Sequence, residues 1–427
     1  EAIIGALRAE RYRWTPVRRT YIAKKGTSKK RPLGLPTWSD KLVQEVIRLI
    51  LEAYYEPGFS DRSHGFRPGR GCHTALQEIT HQWHGTTWFI EGDIADCFGS
   101  LDHSIMRSIL AENIHDGRFL RLIDGLLRAG YLEDWRYHRT LSGAPQGSGA
   151  SPVLSNIYLD RLDRYIEHSV LPAHNRGDCR TPYRPYMRLW RQAWDHEQRG
   201  DHQGGRRLRK QMKTLPSRDP HDPGYRRLRY VRYCDDWLLG FAGPRREAEE
   251  IKETIGGFLR EDLALDLSEH KTLITHGRTG AARFLGYDVV VLHADDKHDH
   301  RGHRSINGAI GLKVPLDVIA TKCRPYMHHG RPIRRTERTV DTDFSIVAQF
   351  QAEFGGVAQY YKLAFNRHRL GKLKYVMQRS LTKTLAHKYR ITVPQVYRRY
   401  RAVLDTEHGP RRGLEVTWDR GDGRTPL

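Results

Sequence analysis

Two aspartates stand side by side, Asp235 and Asp236, in the run RYVRYCDDWLLGF at residues 229–241. Adjacent residues of a straight strand point to opposite faces, so on a strand the pair could not share one site. At a tight turn both can approach one cation. Like charges held together repel, and a divalent ion relieves them. Hard oxygen ligands suit Mg2+ or Mn2+. A two-metal site needs a further carboxylate from elsewhere. Asp93, which ends the run WFIEGD, is the best candidate. Such a site serves in-line phosphoryl transfer, where one ion activates the attacking oxygen and the other steadies the leaving pyrophosphate. Alone, the pair reads as a solvated acidic turn. Its surroundings must decide.

The flanks YVRY and WLLGF are strand-like, which predicts a hairpin with the acids at its tip. TTWFIEGDI, residues 86–94, is a further strand ending at an acid. Residues 39–54 read as a helix, its period given by Leu42, Val46, Leu49 and Ala53. A Gly- and Arg-rich loop, SHGFRPGRGCHTAL, follows at residues 63–76, and residues 103–114 are helical. SGAPQGSGASPVLSNIYLDRLDRYI, residues 142–166, is a Gly-rich loop running into a helix. Ser151 is a good N-cap there and Pro152 suits the first helical position. Residues 174–228 form a polar, Arg-rich, Pro-punctuated insertion, expected to be peripheral. Residues 248–263 read as a helix, and residues 272–274 and 283–291 as strands. The C-terminal part is helical. Val347, Phe350, Phe354, Val357 and Tyr361 keep three-to-four spacing, as do Leu370, Leu373, Met377, Leu381 and Leu385.

The chain has 427 residues, room for roughly two to four subdomains. No stretch approaches the roughly 18 consecutive apolar residues of a membrane span. No secretory signal is present, and a chain that begins at Glu1 without Met is expected to start naturally upstream. Five scattered cysteines with no C-x-x-C pair argue against a zinc site or a disulfide framework and fit a reducing cytoplasm. Lys and Arg number 72 against 50 Asp and Glu, a net charge of +22. A chain this basic usually has a polyanion as partner. Residues 362–401 carry 12 Lys or Arg and no Asp or Glu. A solvated surface would mix both signs, so the run points to a phosphate-binding face.

The segments also form an ordered series. KKGTSKKRPLGLPTWSDKLVQEVI is followed by SHGFRPGRGCHTAL, FIEGDIADCFGSLDH, SGAPQGSGASPVLSNIYLDRLD, YVRYCDDWLLGF, LDLSEHKTLITH and ARFLGYDV. Last comes FGGVAQYYKLAFNRHRLGKLKYVMQRSLTKTLA. Any one block is weakly specific. In this order and spacing they resemble the reverse transcriptases of bacterial group II introns, the intron-encoded maturases, over about residues 10–400. The resemblance implies an α/β plus α right-hand polymerase. Fingers would occupy residues 1–86. A palm of mixed α/β structure with an antiparallel sheet would occupy 87–300, with fingers elements and the basic insertion at about 174–228. A helical thumb, the maturase X domain, and a tail would fill 301–427.

The resemblance makes Asp93, Asp235 and Asp236 the catalytic acids, holding two Mg2+ ions, with Mn2+ as substitute. Lys24, Lys25 and Arg31 match the basic fingers strand that holds the nucleotide triphosphate. Phe98 matches a bulky gate against the ribose 2'-OH, and a core Phe is the competing reading. Gln146 and Gly147 match a loop that touches the nascent base pair. Lys271 matches a lysine proposed to protonate pyrophosphate, or is a surface lysine. Tyr233 and Cys234 complete the Y-x-D-D turn, where a small Cys234 would let the primer end approach. RNA contacts are expected from Arg67 and Arg70, from Arg206, Arg207, Arg209 and Lys210 in the insertion, and from Arg367, His368, Arg369, Lys372, Lys374, Arg379 and Lys383 in the thumb. Each of these basic residues also reads as a solvated charge.

The implied partners are group II intron RNA, an RNA template with a DNA primer, target DNA and deoxynucleoside triphosphates, with no membrane. The implied function couples splicing assistance with copying of the intron RNA into DNA for retrohoming. Two alternatives stay open: a splicing cofactor without polymerase activity, and a domesticated reverse transcriptase. Three positions depart from the family pattern. Phe98-Gly99 stands where Phe-Asp is usual, Y-C-D-D replaces the commoner Y-A-D-D, and Gly355 replaces a common Arg. No C-x-x-C pairs follow the thumb-like blocks, so the metal-dependent endonuclease domain of many relatives is not expected in this chain.

Overall fold

The structure, a computed structural model, describes residues 1–23, 30–144, 147–300, 304, 306–405, 407 and 409–417. Lys24, Lys25 and Gln146 lie outside the described residues. The chain divides into two compact units. One comprises residues 1–285 and 290–310, the other 286–289 and 311–427.

The larger unit is built on a four-stranded sheet in the spatial order Arg227–Tyr233, Asp236–Ala242, Trp88–Asp93, Ile274–His276. All its pairings are antiparallel. DWLLGFA is buried at every position after Asp236. A strand covered on both faces carries such an unbroken apolar run. The helix Arg245–Leu263 buries Ala248, Ile251, Ile255, Leu259 and Leu263, one stripe at three-to-four spacing. The helix Ser151–Tyr165 is buried on nearly every side. Its cap position is Ala150, one residue before the expected Ser151, and Pro152 sits in the first turn. A second sheet runs Lys30–Leu35, Val17–Ala23, Tyr131–Glu133, Arg136–His138; its Val17 to Tyr131 join is parallel.

Two expectations change. The helix Trp38–Tyr55 exists, but the period that reveals it lies outside. Val43, Ile47 and Leu51 are buried, whereas Leu42, Val46 and Leu49 are exposed. The insertion, read from sequence only as polar and peripheral, holds regular structure. It contains the helices Arg184–Gln198 and His202–Met212, joined by two hydrogen bonds of 2.6 Å from Arg209 to Glu197. These helices bury only Ala193, Gly205 and Met212, so little apolar signal marked them.

The smaller unit is mainly helical, with Leu316–Cys323, Asp343–Tyr360, Gly371–Tyr389 and Val393–Tyr400. Gly371–Tyr389 buries Leu373, Val376, Met377, Leu381 and Leu385. Asn366 clamps Val314, accepting from its N–H at 2.7 Å and donating to its carbonyl at 3.2 Å. Among the described residues no helix is long and apolar enough to cross a membrane.

Candidate active site

The site begins with strand register. Trp88–Asp93 pairs Asp236–Ala242 so that Asp93 faces Asp236 and Gly92 faces Trp237. Gly92 is required by that register, because an added Cβ would fall within the Trp237 ring. Tyr233 pairs Asp236, which leaves Cys234 and Asp235 as a two-residue turn. Asp235 thus occupies the tip and Asp236 opens the returning strand. One register brings three carboxylates to one end of the sheet.

The turn is strained. Cys234 has φ +57°, the left-handed region that a residue with a Cβ avoids. Buried neighbours over-determine it. Arg232 is fully buried and donates to the Cys234 carbonyl at 2.9 Å. It also donates to Asp163 at 2.8 and 2.6 Å and to Asn156 at 3.2 Å. The Tyr230 hydroxyl donates to Asp163 at 2.7 Å, and Asn156 donates to the Gly65 carbonyl at 2.8 Å. Gly65 lies against the backbone N–H and Sγ of Cys234, where no Cβ fits. The Cys234 thiol is buried and lies against Gly65. Burial pushes it up to about 12, and the nearby Asp235 adds to the shift. Arg232, Asp163, Asn156 and Gly65 escaped the sequence reading. The available signal was a pair of charges, Arg232 in an apolar strand and Asp163 in an apolar helix, each needing a partner.

Charge at the site is unbalanced toward the acids. Burial pushes Asp236 up to about 7, and Asp235 and a hydrogen bond with Asp93 add to it. Asp235 is raised by burial and by Asp93, while Lys271 and Arg31 pull it back. Lys271 donates to Asp93 at 2.7 Å, and this bond raises the lysine. The Ser268 N–H donates to the Asp93 carbonyl at 2.8 Å, tying the lysine's loop to the strand end.

The flanking loops converge as well. Phe98 lies half-buried in the short helix Cys97–Ser100, outside the fully buried core. Its carbonyl accepts from the Ala144 N–H at 2.8 Å. Gly147, at φ +105°, touches the Gly34 carbonyl, where no Cβ fits. Gly34 belongs to the strand that carries the exposed Arg31. Gly99 leaves space that the Asp96 carboxylate fills.

The expected RNA contacts divide. Arg67 is a correction: its side chain is buried, donating to Glu56 at 2.9 Å and to the Ser60 and Ser63 carbonyls at 2.5 and 2.9 Å. It braces its own loop and presents no free guanidinium. Arg70 pairs with Asp61, Arg209 with Glu197, and Lys383 donates to the Pro332 carbonyl at 2.6 Å. Arg206, Arg207, Lys210, Arg367, His368, Arg369, Lys372 and Lys374 are exposed, and Arg379 is half-buried.

Comparison with known proteins matches residues 22–289 to the reverse transcriptase (RNA-dependent DNA polymerase) family and residues 307–409 to the type II intron maturase family. The chain belongs to the group II intron reverse transcriptase–maturases. This reverse transcriptase–maturase is 38% identical over 418 residues to the group II intron-encoded protein LtrA of Lactococcus lactis, covering 92% of this chain and 68% of that one. It is 36% identical to an uncharacterized 91 kDa protein in the cob intron of Schizosaccharomyces pombe, covering 91% and 48%. It is 32% identical to a putative COX1/OXI3 intron 2 protein of Saccharomyces cerevisiae, covering 93% and 48%. The chain thus spans about two thirds of the bacterial relative and about half of the fungal ones. A telomerase structure from Candida albicans aligns over 91% of this chain and 63% of that one, with TM-score 0.41 and 11% identity. The right-hand polymerase fold rests on the family match and the antiparallel sheet.

The donor set fits the divalent ions this family generally uses. It consists of carboxylate oxygens, crowded and raised by burial and mutual repulsion, which a hard cation would relieve. Among the described residues no three or more His, Cys, Asp or Glu side chains are arranged, as they stand, to hold a metal ion.

Proposed function

We propose that this reverse transcriptase–maturase is an active RNA-directed DNA polymerase that also binds its group II intron RNA to assist splicing. The observation that carries the reading is the register that aligns Asp93 with Asp236 beside Asp235, with Lys271 on Asp93. In this reading Asp93, Asp235 and Asp236 would hold two Mg2+ ions, whose chemistry there would be to activate the primer hydroxyl and to neutralise charge on the leaving pyrophosphate. Lys271 is the proton donor to the leaving group. Arg31, with Lys24 and Lys25, grips the triphosphate, and a guanidinium can do so bidentately. Phe98 excludes a 2'-OH, its half-buried position favouring a gate over a core ring. Gln146 and the side-chain-free Gly147 lie along the new base pair. The exposed basic residues of the insertion and the smaller unit face RNA phosphates, recognising shape more than sequence.

Primer extension on an RNA template with Mg2+ and deoxynucleotides tests this. Extension is expected from the unaltered protein and not from Asp235→Ala. No extension by the unaltered protein, with tight intron RNA binding retained, would replace it with a splicing cofactor that only binds RNA.

A further inference from the structure

Asp96 follows Asp93 by three residues and holds a left-handed backbone, φ +43° and ψ +45°. A residue with a Cβ enters that region at a cost, and the cost is kept where the surroundings or the function demand it. No structural return is visible. The side chain is exposed, does not cap the short helix Cys97–Ser100, and meets no hydrogen-bond donor or cation among the described residues.

Gly99 fixes where that carboxylate goes. The carboxylate lies over the Gly99 Cα, in the place a Cβ would fill, so a side chain at residue 99 and this pose of Asp96 exclude each other. The turn beneath is held firmly. The Asp96 carbonyl accepts from the N–H groups of Gly99 and Ser100 at 2.8 and 3.0 Å, and the Gly99 carbonyl accepts from Ser142 Oγ at 2.9 Å. The same turn carries Phe98. It also stands beside the aspartate tip, because the Cys97 thiol, raised first by burial, is raised further by both Asp235 and Asp96.

A carboxylate only accepts hydrogen bonds, so this one requires a donor that arrives with the substrate. A triphosphate offers none and repels it. The donors on the base edge are taken by the template. The sugar of a deoxynucleotide has one free hydroxyl, at C3'. We propose that Asp96 accepts a hydrogen bond from the 3'-hydroxyl of the incoming nucleotide. One turn then reads both sugar positions, Phe98 by crowding at C2' and Asp96 by hydrogen bonding at C3'. This rests on the polymerase reading above and adds a binding residue to it.

Single-nucleotide incorporation on a primed RNA template tests it. The comparison is kcat/KM for a deoxynucleoside triphosphate against its 2',3'-dideoxy analogue, which lacks the proposed donor. A site built around a substrate hydroxyl discriminates against the analogue without it. The unaltered protein should prefer the deoxynucleotide. Asp96→Gly should cut that preference about tenfold or more, through a raised KM for the deoxynucleotide. Its melting temperature should hold or rise, since glycine adopts this backbone at no steric cost. Gly99→Ala keeps Asp96, but its methyl displaces the carboxylate and should cut the preference too. Equal losses on both substrates would overturn the proposal, because a carboxylate that binds a metal ion or only shapes the turn does not sense the missing hydroxyl. An unchanged preference in Asp96→Gly would do the same. If the unaltered protein extends no primer, the polymerase reading itself fails and takes this inference with it.

Discussion

Arg232 lies beneath the Cys234–Asp235 turn with no exposure, and Asp163 is its ionic partner. Removing one member of a buried pair strands the other, at about 3–5 kcal/mol. Asp163→Asn should therefore lower unfolding stability by about 3 kcal/mol in urea titration. Gly65→Ala tests the turn itself. The added methyl meets Cys234 and must displace it, and a shift near 1 Å at reacting groups can slow chemistry about a hundredfold. Primer extension should fall by about that factor while RNA binding persists. Asp236 gives a pH-dependent test. Its folded pKa, about 7, is raised above the unfolded value, so its contribution favours folding at low pH and is lost as pH rises through 7. Mg2+ should offset that loss. At about ten times its Kd it should raise the melting temperature by about 1–2 °C at pH 8 and not at pH 5, and Asp236→Ala should abolish the shift.

At the scale of elements, Asp343 binds three helices of the smaller unit. It opens Asp343–Tyr360 and accepts from Tyr389 at 2.5 Å, from Tyr400, and from Lys388 at 3.0 Å. Burial opposes its ionisation, but these donors prevail and hold its carboxyl below the usual range. A lowered carboxylate stabilises the fold above its unfolded pKa, near 4, and that stability is lost as pH falls through the folded value. Asp343→Asn should reduce stability at pH 7 by about 1–2 kcal/mol and flatten the acid limb of a stability–pH profile. The hairpin and the helix Gly371–Tyr389 were legible because apolar residues mark their inner faces. For Trp38–Tyr55 the period was legible and the inward face was not, since both faces carry Leu, Ile and Val. The insertion helices were illegible because polar contacts, not apolar burial, hold them. The three aspartates could be read from their spacing and blocks. The clamp beneath them could not, because Asn156, Asp163 and Arg232 meet only after folding.

The whole molecule carries +22, but its charge is not all available. Arg67 and Arg209 are paired internally, whereas Arg369, Lys372 and Lys374 are exposed. Replacing those three with alanine should weaken intron RNA binding. It should also lower the slope of log affinity against log salt by roughly 2–3, about 0.7–0.9 for each phosphate no longer neutralised. Filter binding across a salt series reads both. The buried thiol of Cys234 has a practical consequence at this scale. Thiolates are the reactive species, and the thiols of Cys97 and Cys234 are both buried and pushed up to about 12. Cys179, in the insertion, is exposed. A maleimide dye should therefore mark Cys179 of the insertion ahead of Cys97 and Cys234, and with the half-exposed Cys72 beside Tyr233 replaced it gives a fluorescent reporter remote from the aspartate turn.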